Sequence, residues 1–396
     1  MSQRPLNVGL IGGGGKAFIV NQHNRAVHFD GTRRITCGAL HEDPVKAMEY
    51  ADSWPYPITG YPDYKTMIAE ELKKPVGKRM DYVLIVTPNF CHFEQAMACL
   101  EAGFPVLCEK PVTMTCAEAG TLASKVNASG IPFGVAHTYI DHWSSWLGRW
   151  IVVSGLLGEV RRVNVQYQQG WLANRTEDMG VQQAEWRVDP KRAGGSGCGG
   201  DIGTHAFMQA RFLTDMEVVK VLYARLTSFV QGRKLDDNFT TVCQMENGAE
   251  ALICASQVMT GHDNNFIAEV SGTLGSLSWS QPDCEKLVIR RNDMPDLVYK
   301  RGKVKPNDGF LRELPACLLE EQGKAPADHT EGFHDAFARI HRCFEADVRN
   351  WLENGEDYET HAGALYAGIN DGVKHMQFLA AAIQCAKSGA PVALPI

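Results

Sequence analysis

No apolar run in these 396 residues approaches the roughly 18 that a membrane-crossing helix needs; candidates such as Tyr82–Val86 are strand-sized. Positive charge is also scarce. Thirty-nine Lys and Arg against 46 Asp and Glu give a formal charge of −7, the wrong sign for nonspecific grip on nucleic acid or an anionic membrane. The 12 cysteines never form a Cys-x-x-Cys pair and are too scattered for a disulfide scaffold, so they read as small buried hydrophobes of a reducing compartment. There is no internal repeat or low-complexity segment, and residues 1–7 carry neither an apolar signal core nor a transit pattern. What is present is ordinary: 44% hydrophobic and 21% charged residues, which excludes disordered, collagenous and fibrous chains. The expectation is a soluble cytoplasmic protein of two or three domains, at about 150 residues each.

The chain changes character near residue 138. Before it, short apolar runs (Leu6–Ile11, Ile35–Leu40, Tyr82–Val86, Pro105–Cys108, Pro132–Ala136) alternate with helical stretches such as Phe90–Ala102 and Cys116–Ala128. That alternation predicts a parallel sheet with right-handed crossovers. From Glu159 the period becomes two: Val163, Val165 and Tyr167 alternate with Asn164, Gln166 and Gln168. Further strand-like runs at Val218–Val230, Phe239–Met245, Ala251–Val258, Phe266–Ser271 and Leu287–Arg291 predict an antiparallel sheet. Two closing helices are marked by Phe333, Phe337, Ile340, Phe344 and Val348, and by Leu365, Ile369, Val373 and Met376. The predicted fold class is therefore α/β. A dinucleotide-binding domain spans 1–138, and an α+β domain with a large open, mostly antiparallel sheet spans 139–396.

The first strand runs into Gly12-Gly13-Gly14-Gly15-Lys16-Ala17, and Gly12-x-Gly14-x-x-Ala17 fits the dinucleotide fingerprint in its strand–turn–helix setting. Gly12 permits the tight turn, Gly14 lets backbone approach a pyrophosphate, and Ala17 lets the helix pack on the strand, while the helix N-terminus offers amide donors. The plainer alternative is a glycine-rich turn that binds nothing. At the end of the second strand, where an acidic residue ordinarily meets the adenosine ribose, the sequence reads Leu40-His41-Glu42-Asp43-Pro44. His41 takes the usual acid's place, and no Arg/Lys pair stands there for a 2′-phosphate. The cofactor expectation is NAD, with NADP left open.

Five motifs in order give the chain a resemblance to a known family: the glycine turn with Thr87-Pro88-Asn89-x-x-His92, then Cys108-Glu109-Lys110-Pro111, Trp186-Arg187, Gly200-Asp201-Ile202-Gly203-Thr204-His205, and Gly272-Thr273-Leu274-Gly275-Ser276-Leu277. Nearly the whole chain resembles the Gfo/Idh/MocA oxidoreductases, which include glucose–fructose oxidoreductase and inositol dehydrogenases. The resemblance implies a Rossmann domain, an open sheet often used to build homodimers or homotetramers, a carbohydrate or polyol substrate, and Lys110, Asp201 and His205 as the catalytic trio. It also implies that Thr87, Asn89, His92, Glu109 and Lys110 line the cofactor site, that Trp186 and Arg187 reach the nicotinamide end or substrate, and that Tyr139 keeps a substrate contact. The family often has Asn-Tyr-Arg where this chain has His137-Thr138-Tyr139.

The chemistry can be argued beside this. Oxidising a secondary alcohol sends a hydride to a nicotinamide and a proton to a base. Lys110 follows a parallel strand's carboxyl end, where open α/β sheets place ligands, and its ammonium can stabilise a developing alkoxide. The bland alternative is a solvated strand-end lysine. Glu109 can orient Lys110 or hold cofactor hydroxyls. His205 titrates near neutrality and suits general acid/base work. Asp201, four residues earlier in what reads as the first turns of a helix, can bond a vicinal hydroxyl, orient the imidazole, or act as an N-cap. As a zinc pair the two lack a third ligand, since His137, His142, His262 and His329 form no recognisable spacing. His92 is alternatively a satisfied helix-face histidine, Trp186–Arg187 a surface pair, and Trp171 either a sugar-stacking wall or a sheet-edge aromatic. His329, just before the closing helix, is a further substrate-site candidate. Two other functions compete with a sugar or polyol dehydrogenase. One is a redox glycosidase that oxidises a ring carbon, eliminates the glycosidic group and regenerates NAD in place. The other is a dinucleotide-binding regulator without turnover, which would be free to lose the trio that this chain retains.

Overall fold

The computed structural model describes residues 4–15, 17–305, 311, 314–321, 325–355 and 366–395. The chain divides into two compact units. The first comprises Met1–Thr138 with His334–Met376, and the second Tyr139–Phe333 with Gln377–Ile396.

The first unit opens with β1 (Leu6–Ile11), α1 (Phe18–His28), β2 (Arg33–Ala39), α2 (Pro44–Asp52), β3 (Thr59–Gly60), α3 (Tyr64–Leu72), β4 (Tyr82–Ile85), α4 (Asn89–Glu101), β5 (Val106–Cys108), α5 (Cys116–Ser129) and β6 (Phe133–Val135). Its strands lie parallel in the order β6-β5-β4-β1-β2-β3, as the alternating pattern predicts. The order reverses between β1 and β4, and such a switch point is where open α/β sheets bind ligands. The turn after β1 and Thr87 after β4 are consequently neighbours.

The second unit contains α6 (Trp143–Val153), β7 (Val160–Gln168), α7 (Gln182–Arg187), α8 (Pro190–Ala193), α9 (Thr204–Thr214), β8 (Val218–Thr227), β9 (Asn238–Met245), β10 (Glu250–Ser256), β11 (Asn265–Gly272), β12 (Gly275–Ser280), β13 (Lys286–Arg291), β14 (Met294–Lys300) and α10 (Ala316–Glu321). Its sheet runs β14-β13-β12-β11-β7-β10-β9-β8. All pairs are antiparallel except β7 with β10, which are parallel in mid-sheet. The long connection carrying β8, β9 and three helices allows that parallel pair. One face is buried through Val163, Val165, Tyr167, Ile253 and Phe266 beneath α6 and α9. Helix α6 escapes a periodicity reading because Trp143–Gly148, Ile151 and Val152 are all buried, leaving no polar face for contrast.

The chain closes with α11 (Phe333–Asn354), β15 (Ala367–Gly368), α12 (Ile369–Ser388) and β16 (Val392–Ala393). β15 lies antiparallel beside β6, and β16 beside β8. The expected second domain over 139–396 is therefore interrupted. Ile340, Phe344 and Val348 of α11 pack in one cluster with Leu6, Val8, Leu10 and Tyr82. Periodicity finds the helix but carries no information about which sheet its stripe covers. Leu365, one of the periodic positions of the second closing helix, lies outside the described residues.

Candidate functional site

In the first unit, Gly12, Gly13 and Gly15 adopt φ of 87°, 86° and 74°, a left-handed region that favours glycine. Gly14 is constrained otherwise: a Cβ there would lie 2.3 Å from the Tyr50 ring and 2.6 Å from the Leu40 carbonyl oxygen. The N–H groups of Gly12 and Gly14 donate to Ala39 and Leu40 at 2.9 Å, pinning the turn to the end of β2. Ala17 sits at the N-cap of α1 and packs on the core, as its small size requires. Lys16 lies outside the described residues. His41 accepts the Asp43 backbone N–H at Nδ1 (2.9 Å), so the neutral ring carries its proton on Nε2. Asp43 itself caps α2 through Val45 and Lys46, and His41 beside it is half-buried.

At the neighbouring strand ends, Thr87 donates its hydroxyl to Gln95 Oε1 at 2.7 Å, and Asn89 opens α4 almost fully buried. His92 takes the plainer of its two readings. Its Nε2 lies 2.8 Å from the Thr87 carbonyl and its Nδ1 2.8 Å from that of Pro111, so both nitrogens are committed to backbone. It ties the loop after β4 to the loop after β5. Burial pulls the imidazole below its usual range, and the two carbonyls oppose that shift. Glu109 is 7% exposed; Oε2 accepts the Lys110 N–H at 3.1 Å and Oε1 lies 2.9 Å from His23 Nε2. Lys110 therefore follows β5 from a backbone held by its neighbour's side chain, and its peptide bond to Pro111 is cis.

In the second unit, Asp201 falls in a π-helical turn, Gly199–Gly203, that widens the entry to α9, and His205 is the second residue of α9. Asp201 is not an N-cap. Its Oδ2 accepts from Arg187 Nε and from Gln257 Nε2, both at 2.9 Å. Arg187 is in turn held by Gln183 Oε1 at 2.6 Å, and lies 4.2 Å from the centre of the Trp186 ring and 5.9 Å from that of Trp171. Trp186–Arg187 is thus a built pair rather than a loose surface one. Asp236 anchors the turn from behind, accepting the Gly197 and Gly199 N–H groups at 2.9 Å, and burial raises its carboxyl above the usual range.

His205 is 8% exposed and packs edge-on against Tyr139, with 4.8 Å between ring centres. Tyr139 shares a 2.5 Å hydroxyl–hydroxyl bond with buried Tyr167, whose phenol burial pushes well above its usual range. Gln169 links Tyr167 (3.2 Å) and Asn264 (2.7 Å) to Trp171, whose Nε1 donates to Gln169 Oε1 at 2.9 Å. Trp171 is thereby tied into the same network as Tyr139. His329 is not brought in: its side chain is exposed, its carbonyl is held by Arg301 at 2.6 Å, and among the described residues no hydrogen bond or ring contact joins it to this cluster. No group of three or more metal-ligating side chains occurs among the described residues, nor is any described helix long and apolar enough to cross a membrane.

Sequence reasoning missed Gln183, Tyr167, Gln169, Asn264, Asp236 and Gln257. One signal was there to read, because Tyr167, Gln169 and Trp171 share one face at period two. Asp236, Gln257 and Asn264 come from segments with no motif.

Residues 6–137 match the oxidoreductase family described as GFO/IDH/MocA with an NAD-binding Rossmann fold, and residues 149–278 match a GFO/IDH/MocA C-terminal domain. The uncharacterized oxidoreductase YfiI of Bacillus subtilis is 28% identical over 98% of this chain and 96% of its own length. Levoglucosan dehydrogenase of Pseudarthrobacter phenanthrenivorans is 27% identical over 72% of this chain and 76% of its own. Two crystal structures of an inositol dehydrogenase homolog from Azotobacter vinelandii cover 98% of this chain. The NAD+ complex has a TM-score of 0.90 at 29% identity over 97% of that chain, and the complex with NADH and myo-inositol has 0.87 at 28% over 98%.

Proposed function

Because the chain belongs to the GFO/IDH/MocA oxidoreductases, with their NAD-binding Rossmann domain, we propose that it oxidises a secondary hydroxyl of a sugar, glycoside or polyol. The observation that carries the reading is Asp201, held by Arg187 and Gln257 four residues before a buried, aromatic-backed His205. Such an arrangement is suited to neighbouring hydroxyls. A carboxylate oriented by two donors keeps lone pairs for a third, and an imidazole beside it can take a proton. The relatives that act on levoglucosan and inositol support the substrate class.

The glycine turn at the switch point has the positive φ and missing Cβ atoms that a dinucleotide pyrophosphate requires, so the residues fit the cofactor. When bound, a nicotinamide dinucleotide supplies the hydride acceptor. In this reading the Lys110 ammonium donates to the reacting oxygen and stabilises its developing negative charge. His205 accepts the hydroxyl proton, and Asp201 bonds a vicinal hydroxyl to fix which carbon is presented.

The test is a panel of pyranosides and inositols with NAD, read by absorbance of the reduced nicotinamide, with Lys110→Ala in parallel. We expect reduction in proportion to one substrate class. Lys110→Ala should lose roughly 10²- to 10⁴-fold in kcat with dinucleotide affinity little changed. Equal loss of turnover and affinity would reduce Lys110 to a cofactor contact. Sugar cleaved without net reduction would replace the dehydrogenase by the redox-glycosidase cycle.

A further inference from the structure

Beneath the Glu109–Lys110 loop lies a chain of buried polar groups that the reaction as described does not use. His23 on α1, His341 on α11 and Tyr82 at the start of β4 are all 0% exposed. His23 Nε2 lies 2.9 Å from Glu109 Oε1, His23 Nδ1 lies 2.8 Å from His341 Nε2, and His341 Nδ1 lies 3.3 Å from the Tyr82 hydroxyl. The two imidazoles meet edge-on at 5.1 Å, and Phe337 closes the other side of His23 at 4.9 Å. Three elements distant in sequence, α1, α11 and β4, are thus linked in series to one carboxylate.

Donor and acceptor counting places a proton between His23 and Glu109. Both Glu109 oxygens face nitrogens: Oε2 accepts the Lys110 N–H, and Oε1 meets His23. An ionised carboxylate only accepts, so His23 must carry a proton on Nε2. The links from His23 Nδ1 to His341 Nε2 and from His341 Nδ1 to Tyr82 are satisfied in either of two senses: a neutral His23 accepts from His341 and His341 from Tyr82, or a His23 imidazolium donates to His341 and His341 to Tyr82. In both, the His23 Nε2–H meets Glu109. Burial, reinforced by His23 and Arg33, holds His341 well below the usual imidazole range.

We propose that His23, backed by His341 and Tyr82, is a positioning residue for the reaction, and that its Nε2–H holds Glu109 so that Glu109 holds the Lys110 backbone. The inference rests on the reading of Lys110 given above. A side chain that swings freely at Glu109 would release the Lys110 N–H and with it the direction in which the ammonium leaves the strand end.

The experiment compares His23→Leu, which removes the donor, with His23→Gln, whose amide nitrogen occupies the position of Nε2, and with Lys110→Ala. Each is measured for kcat, KM, NAD dissociation constant and thermal midpoint. His23→Leu should lose roughly 10- to 100-fold in kcat, the scale of losing an orienting partner, with the NAD constant within about threefold. His23→Gln should recover to within about threefold of wild type. Wild-type kcat in His23→Leu while Lys110→Ala is inactive would overturn this proposal alone, as would equal losses in Leu and Gln that track the thermal midpoint. Full turnover in Lys110→Ala would overturn the reading of Lys110 and this inference with it. If His23→Leu does not fold, nitrogen NMR of histidine-labelled wild type decides. A proton on His23 Nε2 is expected, and a His23 protonated on Nδ1 alone would overturn the proposal.

Discussion

Around Lys110 the orienting bonds run through buried groups packed under one sheet end; around Asp201 they run between side chains from three separate segments, two of them half-buried and only Gln257 fully covered. His92 and Glu109 are 1% and 7% exposed, and each grips backbone: two carbonyls for His92, one N–H for Glu109. Arg187 and Asp201 leave 21% and 15% of their side chains exposed, and each depends on the other's rotamer. The first geometry belongs to the fold and is in place before any ligand arrives. The second is assembled between side chains, so under the proposed function a change of substrate would fall there rather than in the first.

The comparison can be broken, most severely at His92. His92→Leu removes the one N–H that a neutral imidazole offers to the Thr87 and Pro111 carbonyls, so we expect about 1–3 kcal/mol lost in denaturant unfolding. A loss below about 1 kcal/mol would show that water replaces the clamp and that this loop is no more rigid than the other site. Arg187→Met should act oppositely. Thermal stability stays near wild type, while KM for the sugar rises about tenfold, near 1.4 kcal/mol, because Asp201 loses the donor at Arg187 Nε. A fall in stability without a change in KM would make the pair structural.

Acid separates the two regions next. His341 is neutral in the folded protein because burial depresses its pKa, whereas the unfolded chain takes up a proton below about 6.5. The unfolded state binds more protons there, so this stability is fully present above about pH 6.5 and is lost as pH falls, at about 1.4 kcal/mol per pH unit for one proton. His341→Gln should flatten that slope between pH 5 and 6.5 in a series of thermal melts; an unchanged slope would place the titrating group elsewhere. The smallest effect is expected at Trp171→Phe, which keeps a ring near Arg187 and loses only the bond to Gln169, worth about 0.5–1.5 kcal/mol in substrate binding. A larger loss would mean that the indole itself touches the sugar.

The parallel sheet was legible because most of its strands are apolar runs followed by a helical period, whereas β3, only Thr59–Gly60, offered no run to read, and the glycine turn was legible because backbone geometry allows few residues there. Lys110, Asp201 and His205 were legible through local motifs. The partners were not. Gln257 reaches Asp201 across 56 positions and His341 reaches His23 across 318, separations that carry no periodicity and appear only when sheets are assembled. His92 could be read either way because sequence gives a histidine's helix face but not what its two nitrogens meet. The boundary at 138 marked where the sheet changes, yet said nothing of the later return of α11.

That return has a consequence for how the protein is made. Tyr82 meets Phe344 edge-on at 5.4 Å, and Leu6, Val8 and Leu10 share their cluster with Ile340 and Val348, so the first unit borrows part of its interior from residues synthesised roughly 200 positions after its last early strand. At 5–20 residues per second a ribosome takes roughly 10–40 seconds to supply them. Through that interval the nascent sheet carries an uncovered apolar stripe. The protein's vulnerable moment is therefore its own translation, when the early fold waits on its final piece and a holding chaperone has the most to shield.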